Sequence, residues 1–215
     1  MFSPLKMSFR QAVVSAGACL CFALAVPVQA SVVYNNIDAV QSGSDAVYGT
    51  GSLANSFSTG TYGGTLNSIQ ALLMNLGPDL SSNLQVSLLS SNSGAPGSLL
   101  ATFDGLSSDA ISSSGFGSYR FSLASGYSLA ANTTYWIEIA AADPNAVQWS
   151  YSSDLSGLGV AGESSYSAAF GISPNDTAAL AGFGPYQMAV ELPEPGSLAL
   201  IGLGLVGLVV VRRRV

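Results

Sequence analysis

Few residue types in this 215-residue chain can do chemistry, and the missing ones decide much of the reading. There is no histidine, which excludes His-based catalytic triads and imidazole metal sites. The only lysine is Lys6, and the only cysteines are Cys19 and Cys21. Past residue 21 no Ser–Lys, Ser–His or Cys–His pair can be assembled. Carboxylates remain. Glu138 and Glu163, with Asp143 and Asp154, are the candidates for the paired acids of glycoside hydrolysis, but no spacing in the sequence sets two of them at the required separation. The favoured reading is that they solvate the surface. Asp104-Gly105, Asp143-Pro144-Asn145, Asp154 and Asn175-Asp176 offer oxygens for calcium. They lack the ordered Asp-x-Asp-x-Asp-Gly pattern and read better as turn residues that bond their own backbone. The expectation is therefore no catalytic residue, no metal and no cofactor.

One aromatic residue stands out as a ligand contact. Tyr135, Ile137 and Ile139 alternate with Trp136 and Glu138, so if the first three face a core, Trp136 faces outward beside a carboxylate. An exposed indole in that position can stack on a sugar; the alternative is that it covers a neighbouring strand. Trp149 shares a face with Val147 and Tyr151 and reads as core. Arg120 is expected to face solvent, paired with an aspartate.

The elements that position these residues are short strands. Alternation marks Leu84–Leu88, Tyr119–Leu123, Tyr135–Ile139, Val147–Tyr151 and Tyr186–Val190, with weaker segments at Val32–Ile37, Ala54–Ser58, Leu66–Met74 and Leu99–Phe103. Turn signals separate them at Ser93–Gly97, Asp104-Gly105, Ser125-Gly126 and Asp143–Asn145, and Ser152–Ser165 reads as a long loop. About nine strands and scarce helix signals predict an all-β fold, a single antiparallel β-sandwich or jelly roll over residues 31–190.

The charges divide the chain in three. Only 8% of residues are charged, against about 25% in an average soluble protein. Lys6 and Arg10 lie in the head, Arg212, Arg213 and Arg214 in the tail, and Arg120 alone between them. Residues 31–190 hold ten acids against that one base, a formal charge of −9. Such a domain is unsuited to neutralising phosphates, which argues against a nucleic-acid partner.

Residues 1–30 read as a signal peptide, a helix that directs export. A basic start precedes the apolar run Ala12–Val26, and Val28-Gln29-Ala30 places small residues for cleavage after Ala30. The alternatives are an uncleaved membrane helix, for which the run is short, and a lipoprotein acylated at Cys19 or Cys21, for which Ala16–Cys19 lacks the expected leucine. Cleavage at Ala30 removes both cysteines, leaving a domain that folds outside the cytoplasm without disulfides.

The tail, residues 191–215, combines Pro193-Glu194-Pro195, an apolar glycine-rich run from Leu198 to Val211, and Arg212–Arg214. As a helix the run of 14 residues covers about 21 Å, a short transmembrane segment that thinning of the bilayer or snorkelling arginines can accommodate. The arginines set its end in the cytoplasm and the acidic domain outside. In this order the three parts resemble the PEP-CTERM sorting signal of Gram-negative bacteria. That resemblance implies recognition by an exosortase, cleavage near Pro193–Pro195, and delivery to the cell surface or the exopolysaccharide matrix.

The middle also resembles a family. Asn55–Gly60, Leu66–Leu73, Val86–Leu89, Gly94–Gly97 and Leu129–Ile137, with Asn132-Thr133-Thr134-Tyr135-Trp136 the most specific part, look like the bacterial choice-of-anchor domains of the R type. The resemblance implies a fold and a surface location but no catalytic residues. The leading expectation is thus a non-enzymatic exported module with a structural or adhesive role. The alternatives are a glycan-binding module using Trp136 and a carboxylate-based glycan hydrolase.

Overall fold

A computed structural model describes residues 31–192, except 48–50, 62, 78–82, 142–146, 170 and 175–183. The signal segment with Ala30, the motif Pro193-Glu194-Pro195, the apolar run and Arg212–Arg214 lie outside the described residues. The described chain forms thirteen strands: β1 (Ser31–Asn35), β2 (Gly43–Val47), β3 (Leu53–Ser58), β4 (Gly64–Asn75), β5 (Asn83–Asn92), β6 (Ala95–Thr102), β7 (Leu106–Ser107), β8 (Gly117–Leu129), β9 (Thr134–Ala141), β10 (Val147–Tyr151), β11 (Ser164–Ser167), β12 (Gly171–Pro174) and β13 (Met188–Leu192). One 3-10 turn, Ser108–Ala110, interrupts them, and no α-helix occurs among the described residues. The all-β expectation holds in the form of two antiparallel sheets.

The first sheet runs β1-β13-β4-β10-β2, with β8 also on β4. β4 is long enough to hold β8 along one edge while β13 and β10 lie end to end along the other, pairing Ile69–Ala71 and Leu73–Asn75 respectively. The second sheet runs β12-β11-β3-β9-β5-β6, with β7 also on β5. Alternation explains the packing. Leu66, Ile69, Ala71 and Leu73 of β4 share one buried core with Leu53 and Phe57 of β3, Val86 and Leu88 of β5, and Ile137 and Ile139 of β9. Both sheets thus turn an apolar face inward, and burial of those faces drives the fold.

Each expected strand is present, but several boundaries differ: β6 begins at Ala95, inside the expected Ser93–Gly97 turn, and β13 begins at Met188 rather than Tyr186. The Ser125-Gly126 turn is a bulge inside β8: Leu66 pairs with Tyr127 and Ser68 with Ser122, so residues 123–126 stand opposite Asn67 alone. β11 begins within the expected Ser152–Ser165 loop. β2, β7, β11 and β12 carried little signal because they are short and polar. β2 and β12 sit at sheet edges, where one side of the strand needs no partner.

Candidate functional site

Trp136 requires a correction. It does lie on the face of β9 opposite Tyr135, Ile137 and Ile139, but it is only 1% exposed. β9 is an interior strand, and Trp136 stands between Ser56 of β3 and Leu89 of β5. Ala54, Leu89 and the half-buried Tyr166 of β11 pack with it in a second, smaller apolar cluster. Its Nε1–H donates to Ser91 Oγ at 3.3 Å. The outer face of this sheet is locally covered, so the indole has no free surface to offer a sugar.

The Asn-Thr-Thr-Tyr-Trp segment serves the turn between β8 and β9. Asn132 adopts a left-handed backbone (φ 49°), the conformation asparagine tolerates best among residues with a side chain. Thr59 Oγ1 donates to Ala130 O at 2.7 Å and accepts from Thr133 N at 3.1 Å. Ala130 N donates to the Tyr135 hydroxyl at 2.9 Å. The Asn132 conformation and the Tyr135 hydroxyl bond tie the segment to this turn.

The carboxylates divide by environment. Glu163 is buried and accepts a short hydrogen bond from the Ser56 hydroxyl, whose oxygen in turn accepts from Ser164 N at 2.7 Å. Glu138 is half-buried on β9, in register with Ala54 and Ser87. Asp104 and Asp154 are exposed, while Asp143, Asn145, Asn175 and Asp176 lie outside the described residues. Among the described residues no three acidic side chains group as metal ligands. Arg120 is exposed as expected, but it donates from Nε and Nη2 to Ser68 Oγ at 2.9 and 2.7 Å rather than to an aspartate.

The most perturbed acid was not singled out by the sequence. Asp45 on β2 stands opposite Trp149 of β10 and accepts a 2.9 Å hydrogen bond from the Tyr186 hydroxyl. Trp149 stacks on Tyr186 with centroids 4.6 Å apart. Desolvation raises the Asp45 carboxyl from its usual 3.8 to about 6, partly opposed by the Tyr186 hydrogen bond. Burial, then the Asp45 charge, push the phenol of Tyr186 upward, and the same two causes raise Tyr151. Because the folded state holds Asp45 above its ordinary value, the stability it lends is full below 3.8 and is lost as pH rises through about 6. The full rise corresponds to about 3 kcal/mol, and screening at this half-buried position reduces it to about 1–2 kcal/mol. Asp45→Asn should therefore stabilise the protein by about 1–2 kcal/mol at neutral pH and by nothing in strong acid. Urea midpoints of variant and parent at the two pH values check this; an equal gain at both would show that charge is not the cause.

The final strand overlaps the start of the tail in sequence. Leu192, the last residue of β13, is buried and pairs with Ser31, and Glu191 pairs with Val32. Residues 191–214 match the PEP-CTERM protein-sorting motif, so the motif begins inside the final strand. The motif supports exosortase-dependent sorting of an exported protein. No curated protein matches the chain. Among the described residues no helix is long and apolar enough to cross a membrane.

Proposed function

We propose that the chain is the precursor of a non-catalytic surface or matrix module. The observation that carries this is the PEP-CTERM match over 191–214, joined directly to the end of β13. In this reading the signal peptide is cut after Ala30, and the helix Leu198–Val211 holds the precursor in the inner membrane of a Gram-negative bacterium with Arg212, Arg213 and Arg214 in the cytoplasm. An exosortase then acts near Pro193, Glu194 and Pro195, and the β domain is released to the cell surface or exopolysaccharide matrix. There it serves as a structural or adhesive unit of the choice-of-anchor type. A non-enzymatic role is favoured because the domain lacks His, Cys and Lys, and because Glu163 is engaged by Ser56 rather than open to a substrate.

Sorting is tested by fractionating cells that carry or lack the exosortase and weighing the protein by mass spectrometry. With the enzyme, a product without Arg212–Arg214 should appear outside the inner membrane; without it, the tail-bearing form should accumulate there. Replacing Pro193, Glu194 and Pro195 with alanine should reproduce the second state in cells that have the enzyme. Equal amounts of full-length protein in both strains would overturn the sorting claim.

A further inference from the structure

Two residues of the matched motif lie in a sheet. Glu191 and Leu192 end β13, and the PEP-CTERM match opens at Glu191. β13 is an interior strand, with β4 on one side and β1 on the other. The two neighbours hold different lengths of it. Pairing with β4 covers Met188, Ala189 and Val190, opposite Ala71, Gln70 and Ile69, and goes no further. Pairing with β1 continues to the end, with Glu191 opposite Val32 and Leu192 opposite Ser31. The two motif residues are therefore held in the sheet by β1 alone.

β1 itself is built in two parts. Its ladder is broken between Val32 and Tyr34, where Val33 has no partner on β13. A bulge of this kind ends one run of regular pairing and begins another. The inner part is anchored. Tyr34 is fully buried in the core, and Asn35 N donates to Leu158 O at 2.8 Å. The loop after β10 also closes on the bulge, since a Cβ on Gly159 (φ 69°) would stand 2.0 Å from Val33 O. The outer part, Ser31 and Val32, has only Leu192 and Glu191 as strand partners. Cleavage after Ala30 makes Ser31 the first residue, and chain ends are where pairing opens first. Against opening stands the Leu192 side chain, 3% exposed and packed in the core, where a Cβ on Gly64 would stand 3.0 Å from its Cδ1. The closed ladder is thus the resting state, and the bulge lets its last two pairs open without the rest.

The closed ladder and tail processing compete for the same backbone. An enzyme that cuts near Pro193–Pro195 takes the residues beside the cut as an extended strand, through their main-chain N–H and C=O groups. In the closed ladder Glu191 and Leu192 are committed to β1, and β1 covers their open side. Cleavage that needs a locally opened state runs at a rate set by the population of that state.

We propose that the outer end of the β1–β13 ladder, Ser31 and Val32 against Leu192 and Glu191, is a gate on tail processing. The exosortase takes the chain when these two pairs open, and their closure afterwards seals the new end of the released domain. This gate rests on the sorting reading above and adds its regulation.

The test follows the full chain in cells that carry the exosortase, by pulse labelling and the rate at which the tail-bearing form disappears. Residues directly opposite in an antiparallel pair lie within reach of a disulfide, and no cysteine follows Cys21 to interfere. In the oxidising periplasm the pair Val32→Cys with Glu191→Cys should lock the gate and slow tail loss at least about tenfold. Glu191→Cys alone should be processed at the parental rate, and a permeant reductant should restore the double variant to it. Val32→Gly should speed tail loss about fivefold, the effect of removing a β-branched side chain from a paired strand. Trp136→Phe, which loosens the other sheet, should leave the rate unchanged. Tail loss from the locked pair at the rate of Glu191→Cys, retention that reductant does not relieve, or Val32→Gly no faster than the parent would overturn the gate. So would equal acceleration by Trp136→Phe, which would make general unfolding the controlling step. A parent chain that keeps its tail in these cells would instead overturn the sorting reading, and the gate with it.

Discussion

Trp136→Ala should lower the unfolding free energy of the β domain by about 3–5 kcal/mol, the range for truncating a buried tryptophan. The indole is 1% exposed and packs with Ala54, Leu89 and Tyr166 from three other strands. Its removal would leave a cavity on the outer face of the second sheet, where β3 and β5 flank β9 on either side and cannot collapse inward without losing their pairing. The Nε1–H bond to Ser91 Oγ contributes less, about 1 kcal/mol for a neutral hydrogen bond. Trp136→Phe keeps most of the apolar volume and loses that bond, so its cost should be well under half that of the alanine variant. Urea titration followed by the fluorescence of the remaining Trp149 measures both. The two variants also separate packing from recognition. Trp136→Phe should retain whatever affinity for matrix polysaccharide the parent has. An alanine variant of parental stability that had lost such affinity would restore the indole as a sugar platform.

Why the sequence placed Trp136 on the correct face yet in the wrong solvent is instructive. Period-2 alternation reports which side of a sheet a residue takes, and for Tyr135 to Ile139 that reading agrees with the inner core. It carries no information on what covers the other side. Coverage comes from residues distant in sequence, here Tyr166 and Leu89, and from a strand order that no local pattern encodes. The same limit hid Asp45. It lies on an edge strand without alternation, and its environment is supplied by Tyr186, 141 residues away. The tail was legible for the opposite reason. Its three parts are contiguous, so order along the chain is the whole signal, and residues 191–214 match on that basis alone. Asp154 was legible as a loop acid, but that its loop lies against the turn after β1 depends on the long-range bond between Asn35 and Leu158.

Gln187→Leu tests a buried polar network, and its expected cost is also about 3–5 kcal/mol, the range for leaving several buried partners unpaired. In the sequence Gln187 alternates with Tyr186 and Met188 and reads as a solvent residue, yet it is fully buried. It occupies the junction where β10 and β13 meet along β4. Its backbone N donates to Ser150 O at 2.8 Å, and its carbonyl accepts from Leu72 N and from Trp149 Nε1, both at 3.0 Å. The side chain then reaches across to the turn after β1. Nε2 lies within hydrogen-bond distance of the carbonyls of Asn36, Ile37 and Ala39, closest to Ala39 at 2.7 Å, and Oε1 accepts from Ser150 Oγ at 2.5 Å. Leucine fills a similar volume but abandons those carbonyls and the Ser150 hydroxyl inside the protein, where each unpaired group bears its desolvation cost in full. Ser150→Ala removes one partner only, and since Gln187 keeps its bonds to the turn, its cost should be nearer 1–2 kcal/mol. The double variant should cost less than the sum of the two, because the hydroxyl that leucine strands is absent. Denaturation midpoints of the three variants give that coupling directly. Additive stabilities would mean that Gln187 acts by packing alone and does not tie the β10–β13 junction to the turn.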